Sequence, residues 1–339
     1  MYVSPGGPYS GGYGPFYRTG YDERAQIRRT SSGVCWTALA GIFLMTGLLP
    51  GLGELFLGGI GFRLSGASPF NGLPPVLYYL LLGFDYVAGL ALPALLYFSA
   101  TRVPLSEGIP FRRVPAAETA LYVAFGCMVC MLANYPANFV SQLQEFFGFS
   151  GELPESPLNN DPTVLALYGL SVVVIPPLVE EVMFRGVVLQ SLRRYGDGFA
   201  VLVSAILFGL YHGNLIQIVF AFLSGLALGF VVIRTDSLLP AMLIHCVNNG
   251  ISYAIELVQR FYGESTANSV DAILSVAIVA LGLGALFVLA AKHKLFSGKR
   301  NGSPLPLSSR MGAAFGNFGA VCFILYAAAM SAYTLYHVG

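Results

Sequence analysis

The chain alternates long apolar runs with short polar joints, and most runs are of bilayer-crossing length. Roughly 20 apolar residues cross the hydrocarbon layer as a helix. On that measure the pattern predicts helical spans near residues 34–59, 74–100, 117–140, 163–184, 198–212, 215–233, 237–258, 271–291 and 314–336. The run 198–212 is too short to cross and is expected to end within the protein, where irregular backbone can be satisfied. The expected fold class is all-α, a polytopic transmembrane helical bundle of about eight or nine spans. Residues 297–312 read as a polar, turn-rich loop before a separable last span, and no internal repeat is evident.

Composition agrees with this pattern. Hydrophobic residues make up 55% of the 339 and charged residues only 10%, whereas a soluble domain carries about a quarter charged residues. A net charge of +1 offers no basic surface for nucleic acid. The five cysteines all fall in apolar runs, so no disulfide framework is expected, and the CxxC of Cys127 and Cys130 reads as two small apolar residues. Residues 1–20 are rich in Gly, Tyr and Pro and cannot pack a core. They are no signal peptide, because no apolar core follows a short basic start. The chain therefore divides into a disordered tail (1–33), N-terminal spans (34–160), a central unit (161–258) and C-terminal spans (259–339).

Lysine and arginine gather on alternate joints. Arg18, Arg24, Arg28 and Arg29 precede the first span; Arg102, Arg112 and Arg113 follow the second; Arg193, Arg194 and Arg234 lie in the central unit. Lys292, Lys294, Lys299, Arg300 and Arg310 complete the set, and only Arg63 and Arg260 sit on the other joints. Joint 141–162 has no basic residue and carries Glu145, Glu152, Glu155 and Asp161. By the positive-inside rule the N-terminus is cytosolic and the C-terminus external. The expected location is a bacterial cell membrane.

Strongly polar residues inside the spans are few: Asp85, Glu180, Glu181, Arg185, His212, His245, Asn248, Asn249 and Glu256. Ionisable groups at bilayer depth are costly and mark function or a buried partner. Pro176 and Pro177 suit the first turn of a helix on which the glutamates follow. Glu181 and Arg185 are spaced i, i+4 with the acid first, the favourable order for an ion pair. Glu180 lies about 100° round the helix without a local cation, so it needs a partner on another helix and is suited to act as a general base. His212 ends the short run, and His245 and Asn249 share one helical face. Counting 1.5 Å per residue from the arginine-bearing joints puts Glu180, His212 and Asn249 about 18–21 Å deep and His245 about 12 Å deep. A polar intramembrane cavity reaching in from the cytosolic side is expected to unite these four side chains.

These residues lie in stretches that resemble the three motifs of the CAAX protease and bacteriocin-processing family, also called Abi or CPBP intramembrane proteases. The stretches are "EEVMFR" (Glu180, Glu181, Arg185), "FGLYH" (Phe208, His212) and "HCVNN" (His245, Asn249). The resemblance covers about residues 165 to 255 and makes the central unit a catalytic core. It implies an intramembrane endopeptidase like the prenyl-protein endopeptidases, acting on a membrane-associated or C-terminally lipidated protein or peptide. By the same resemblance Glu180 and His212 activate water, His245 and Asn249 stabilise the oxyanion, and Glu181 and Arg185 support the geometry. It favours a glutamate mechanism without a cofactor.

Other readings remain at this stage. Glu180, His212 and His245 also make a candidate zinc set, since three N/O ligands plus water suffice for that metal. Neither the HExxH of zinc-helix proteases nor a GxGD motif is present. A proton-coupled transporter would use buried Glu and His as a relay, and a non-catalytic scaffold or bacteriocin-immunity-type protein would use them for packing. Expected partners are a peptide or protein substrate and the lipid bilayer, with no nucleic acid; the sequence leaves the oligomeric state open.

Overall fold

The computed structural model describes residues 20–66, 69–151, 157–295 and 303–337. Its principal helices are α1 (Gly20–Phe43), α2 (Leu49–Gly59), α3 (Pro75–Thr101), α4 (Ala116–Phe146), α5 (Pro162–Gly169), α6 (Ile175–Glu181), α7 (Asp197–Tyr211), α8 (Leu215–Thr235), α9 (Leu239–Tyr262), α10 (Glu264–Ala291), α11 (Leu307–Phe315) and α12 (Phe318–Thr334). A small antiparallel sheet pairs Phe149 and Ser150 with His337 and Tyr336. The molecule is an all-α polytopic bundle and an integral membrane protein. Its outer surface carries Leu55, Phe56, Ile273, Val276, Phe287 and Leu325 well exposed, which suits hydrocarbon as solvent and not water.

Helix starts follow local chemistry. Asp161 caps α5 by accepting from the backbone N–H of Thr163 and Val164, ahead of Pro162. Pro176 and Pro177 open α6, where a missing N–H costs nothing. Wide turns flank α6 at Leu170–Val174 and Val182–Gln190, with the hydrogen-bond spacing of a π-helix. α5, α6 and these turns form one continuous span, Pro162–Arg193.

Among the described residues six helices are long and apolar enough to cross a membrane, or seven if the bent pair α11–α12 is one span. This is below the eight or nine expected. α7 is short, as anticipated, and α9 runs the full 24 residues but is diluted by His245, Asn248, Asn249 and Glu256. The last span is also not the straight segment expected at 314–336. α11 already begins at Leu307, inside the expected loop 297–312, and meets α12 at a 74° bend. Asn317 makes the corner, accepting from Ala320 N–H and donating to Ala314 O at 2.6 Å.

Of the expected tail 1–33, residues 1–19 lie outside the described residues, and α1 starts at Gly20. Its first turns are polar and yet packed: Glu23 and Ile27 are buried, the Ser31 hydroxyl donates to Ala314 O at 2.6 Å, and Arg28 donates to Gly316 O at 2.7 Å. A polar helix end of this kind carries no apolar periodicity, so only tertiary contact discloses it.

Most arginine-bearing joints meet at one end of the bundle. Arg193 pairs with Asp197 and Asp236, Arg112 also reaches Asp236, and Arg310 donates to Tyr195 O. Arg260 lies at the other end with Asn160. Charge patterning thus defines two ends, and we expect the arginine end to face the cytosol. A cysteine introduced at Gly263 should react with a membrane-impermeant maleimide on intact cells, above the wild-type signal. One at Arg112 should react only after permeabilisation, and the opposite result would invert the topology.

Candidate functional site

Among the described residues Arg185 is the largest fully buried side chain. Its Nη1 lies 2.8 Å from Glu181 Oε1, with both side chains fully shielded. Nη2 donates to Gly225 O at 3.3 Å, and the guanidinium stacks 4.3 Å over the Phe208 ring. One cation thereby ties the glutamate helix to α7 and α8. Glycine is needed at 225, because a Cβ would stand 3.1 Å from Ala205 Cα and 3.3 Å from Arg185 Nη2.

The two glutamates grip one histidine. Glu181 Oε1 also lies 3.1 Å from His245 Nδ1. A carboxylate only accepts, so Nδ1 donates. His245 Nε2 then faces Glu180 Oε2 at 3.8 Å. Glu180 Oε1 accepts a short hydrogen bond from the Tyr86 hydroxyl, which in turn lies 3.4 Å from the Tyr211 hydroxyl. Glu180 Oε2 is buried, and among the described residues no group donates a hydrogen bond to it or to Glu181 Oε2.

His212 follows the last turn of α7, and its Nδ1 lies 2.8 Å from Phe208 O. The carbonyl accepts, so Nδ1 carries a proton and Nε2 of the neutral ring is the basic atom. Beyond it the chain turns through Gly213, at φ +62°, where a Cβ would press to 2.7 Å from Met330 Cβ. Asn214 then caps α8 and donates to Gly151 O, so the short helix does end inside protein. Asn249 Nδ2 donates to Val172 O at 3.0 Å, a carbonyl in the wide turn before α6. One Nδ2 hydrogen is left for another acceptor.

Glu180, His212, His245 and Asn249 line a single cavity of about 360 Å³. Glu181 and Arg185 stand behind it, fully buried. The sequence suggested a cavity reaching in from the arginine end; its lining continues to Asn134 and Asn138 of α4 and Gln217 of α8, residues in the helix halves remote from that end. The depth count placed the four side chains near mid-membrane but could not tell which helices part around them. Among the other polar residues expected in the spans, Glu256 is bonded by Tyr168 at 3.0 Å, outside this cavity. Asp85 lines a separate apolar cavity with Met45 and Leu57. Tyr86 and Tyr211 are the site residues that sequence reasoning missed. An isolated tyrosine in an apolar run carries no spacing signal, and only the packing of α3 against α6 ties Tyr86 to Glu180.

Among the described residues no three His, Cys, Asp or Glu side chains are grouped as metal ligands.

Comparison with known families matches residues 162–251 to the family described as Rce1-like, type II CAAX prenyl endopeptidase Rce1-like. That family is one of proteases, and the matched segment runs from α5 through the site to the middle of α9. Comparisons with curated proteins and with solved structures give no match.

The ion pair yields a stability prediction. Glu181→Gln should strand Arg185 as an uncompensated buried charge and cost about 3–5 kcal/mol, read as a fall in unfolding temperature in detergent. Replacing both residues with apolar side chains should recover much of that loss, because the burial cost of the charges disappears with them. A Glu181→Gln protein as stable as wild type would show that the pair does not hold the helices.

Proposed function

We propose, on the premise that residues 162–251 belong to the Rce1-like family of type II CAAX prenyl endopeptidases, that this protein is an intramembrane endopeptidase of the glutamate type. The observation that carries the reading is Glu180 itself: a buried carboxylate with one oxygen held by Tyr86 and the other 3.8 Å from His245 Nε2, lining one cavity with His212 and Asn249.

In this mechanism a water bound to Glu180 Oε2 and His212 Nε2 loses its proton to the carboxylate as its oxygen attacks the scissile carbonyl carbon. The negative charge that develops on the carbonyl oxygen is met by the remaining Nδ2 hydrogen of Asn249 and by His245, which in this step carries a proton on both ring nitrogens, donating from Nδ1 to Glu181 and from Nε2 to the oxyanion. Fixed donors in a dry site cost no reorganisation when the charge appears. Collapse of the tetrahedral intermediate breaks the C–N bond, and the proton held by Glu180 passes to the leaving amine. Glu181 orients His245 through Nδ1 and does not touch the substrate. The family description supports a C-terminally prenylated CAAX peptide or protein as substrate.

Purified protein in liposomes should release the C-terminal fragment of a prenylated CAAX peptide, detected by mass spectrometry. Glu180→Gln should abolish release while the protein stays folded. Failure of the wild type on prenylated peptides would sink the substrate assignment.

Asn249 separates the mechanism from a metal-dependent one. Asn249→Ala should lower kcat about a hundred- to a thousandfold, the usual loss for one oxyanion donor. Asn249→Asp should be worse, because it places a negative charge where one must develop. Dialysis against a chelator should leave wild-type activity intact. Activity lost to the chelator and restored only by added zinc would overturn the glutamate mechanism, though not the endopeptidase reading.

A further inference from the structure

The site cavity does not close beyond Asn248. A second cavity of about 440 Å³ shares Asn134, Asn138, Phe220, Asn248 and Ser252 with it and runs on to Asp271 and Ser275 of α10. With five lining residues in common, the two are chambers of one cleft between α4, α8, α9 and α10. Asn134 and Asn138 stand one turn apart on α4, in a span of mean hydropathy 1.7, and both are exposed rather than packed. Two amides on the same face of a membrane helix are costly unless they line a polar path. Among the described residues that line the second chamber, Asp271 is the sole charged one.

This lining has a definite chemistry. An asparagine side chain offers a donor and an acceptor together, the complement of a peptide backbone unit. An extended segment leaves those backbone groups unpaired every few ångströms along its length. The wall sets three asparagines, two serines and an aspartate among Met131, Phe220, Ile251, Ile255 and Val279, so it offers polar partners to a backbone and apolar contact to side chains.

We propose that the second chamber binds the substrate polypeptide on one side of the scissile bond, as an extended strand. Asn134, Asn138, Asn248 and Ser252 hydrogen-bond its backbone, and Asp271 selects a basic side chain at one position. The proposal rests on the endopeptidase reading and names the residues that set its sequence preference. None of Asn134, Asn138 or Asp271 falls within the segment matched to the family.

The test uses the full-length protein and a set of fluorescent prenylated CAAX peptides, alike except for a single Lys or Glu moved along the chain. At one position wild type should favour Lys over Glu by about tenfold, mainly through KM, the worth of one partly exposed ion pair with its repulsive counterpart. Asp271→Lys should reverse that preference. Asn134→Leu combined with Asn138→Leu should raise KM about tenfold for every peptide, at an unfolding temperature no lower than wild type, since leucine suits the span. Identical preferences in wild type and Asp271→Lys at every position would overturn the charge selection. An unchanged KM in the double variant would overturn the backbone contact. Fluorescence anisotropy reads the same preferences as binding. If wild type binds the Lys peptides more tightly, Asp271→Lys does not, and nothing is cleaved, then the chamber stands and the endopeptidase reading falls.

Discussion

A full positive charge sits where neither water nor lipid can solvate it, and the arrangement of the central helices follows from that constraint. Arg185 is tolerable only because Glu181, the Gly225 carbonyl and the Phe208 ring close around it. Each belongs to a different part of the chain, so satisfying one cation fixes α6, α7 and α8 relative to one another. Glu181 carries the constraint further by holding His245 of α9. The pair need not add net stability, since two desolvated charges barely offset their own burial. What it supplies is specificity of packing, because any slip of one helix leaves a bare charge in a low dielectric.

The site rests on that frame with a division of labour between neighbours. Glu181 faces inward and binds Arg185 and His245; Glu180, one residue earlier, lines the cavity. Adjacent residues on a helix point about 100° apart, so a doubled glutamate is a compact way to serve both a frame and a reaction. The wide turns on either side of α6 belong to the same design. Such turns are frequent at functional sites, and here Val172, in the first of them, provides the carbonyl that holds Asn249. On the proposed mechanism, the backbone before the base thereby positions the oxyanion donor.

Polar residues of this membrane protein fall into two populations. Those of the central unit are packed, paired and oriented by one another. Those of α4 and α10, namely Asn134, Asn138, Asp271 and Ser275, line an open cleft and make few bonds of their own. Groups of the first kind suit chemistry, where geometry must be fixed before the substrate arrives. Groups of the second kind suit recognition, where the protein's hydrogen bonds are completed by what enters.

Periodicity and charge placement by themselves determined that this chain is a helical membrane bundle with two electrostatically distinct ends. Hydrocarbon forces every spanning segment to satisfy its backbone internally, so an apolar run of sufficient length has one outcome. Helical spacing likewise determined that Glu181 belongs to Arg185, because an i, i+4 relation is local. Residues distant in sequence were another matter. That Tyr86 reaches Glu180, that Glu181 also holds His245, and that the cavity extends away from the arginine end depend on how α3, α4 and α9 pack around α6. Helix crossing in a membrane is set by side-chain fit and not by hydrophobic patterning, since lipid is as apolar as the helices themselves. The polar start of α1 and the bend between α11 and α12 escaped the sequence for the same reason: both are made by contacts across the fold, at Ser31 and Asn317, that no local pattern encodes.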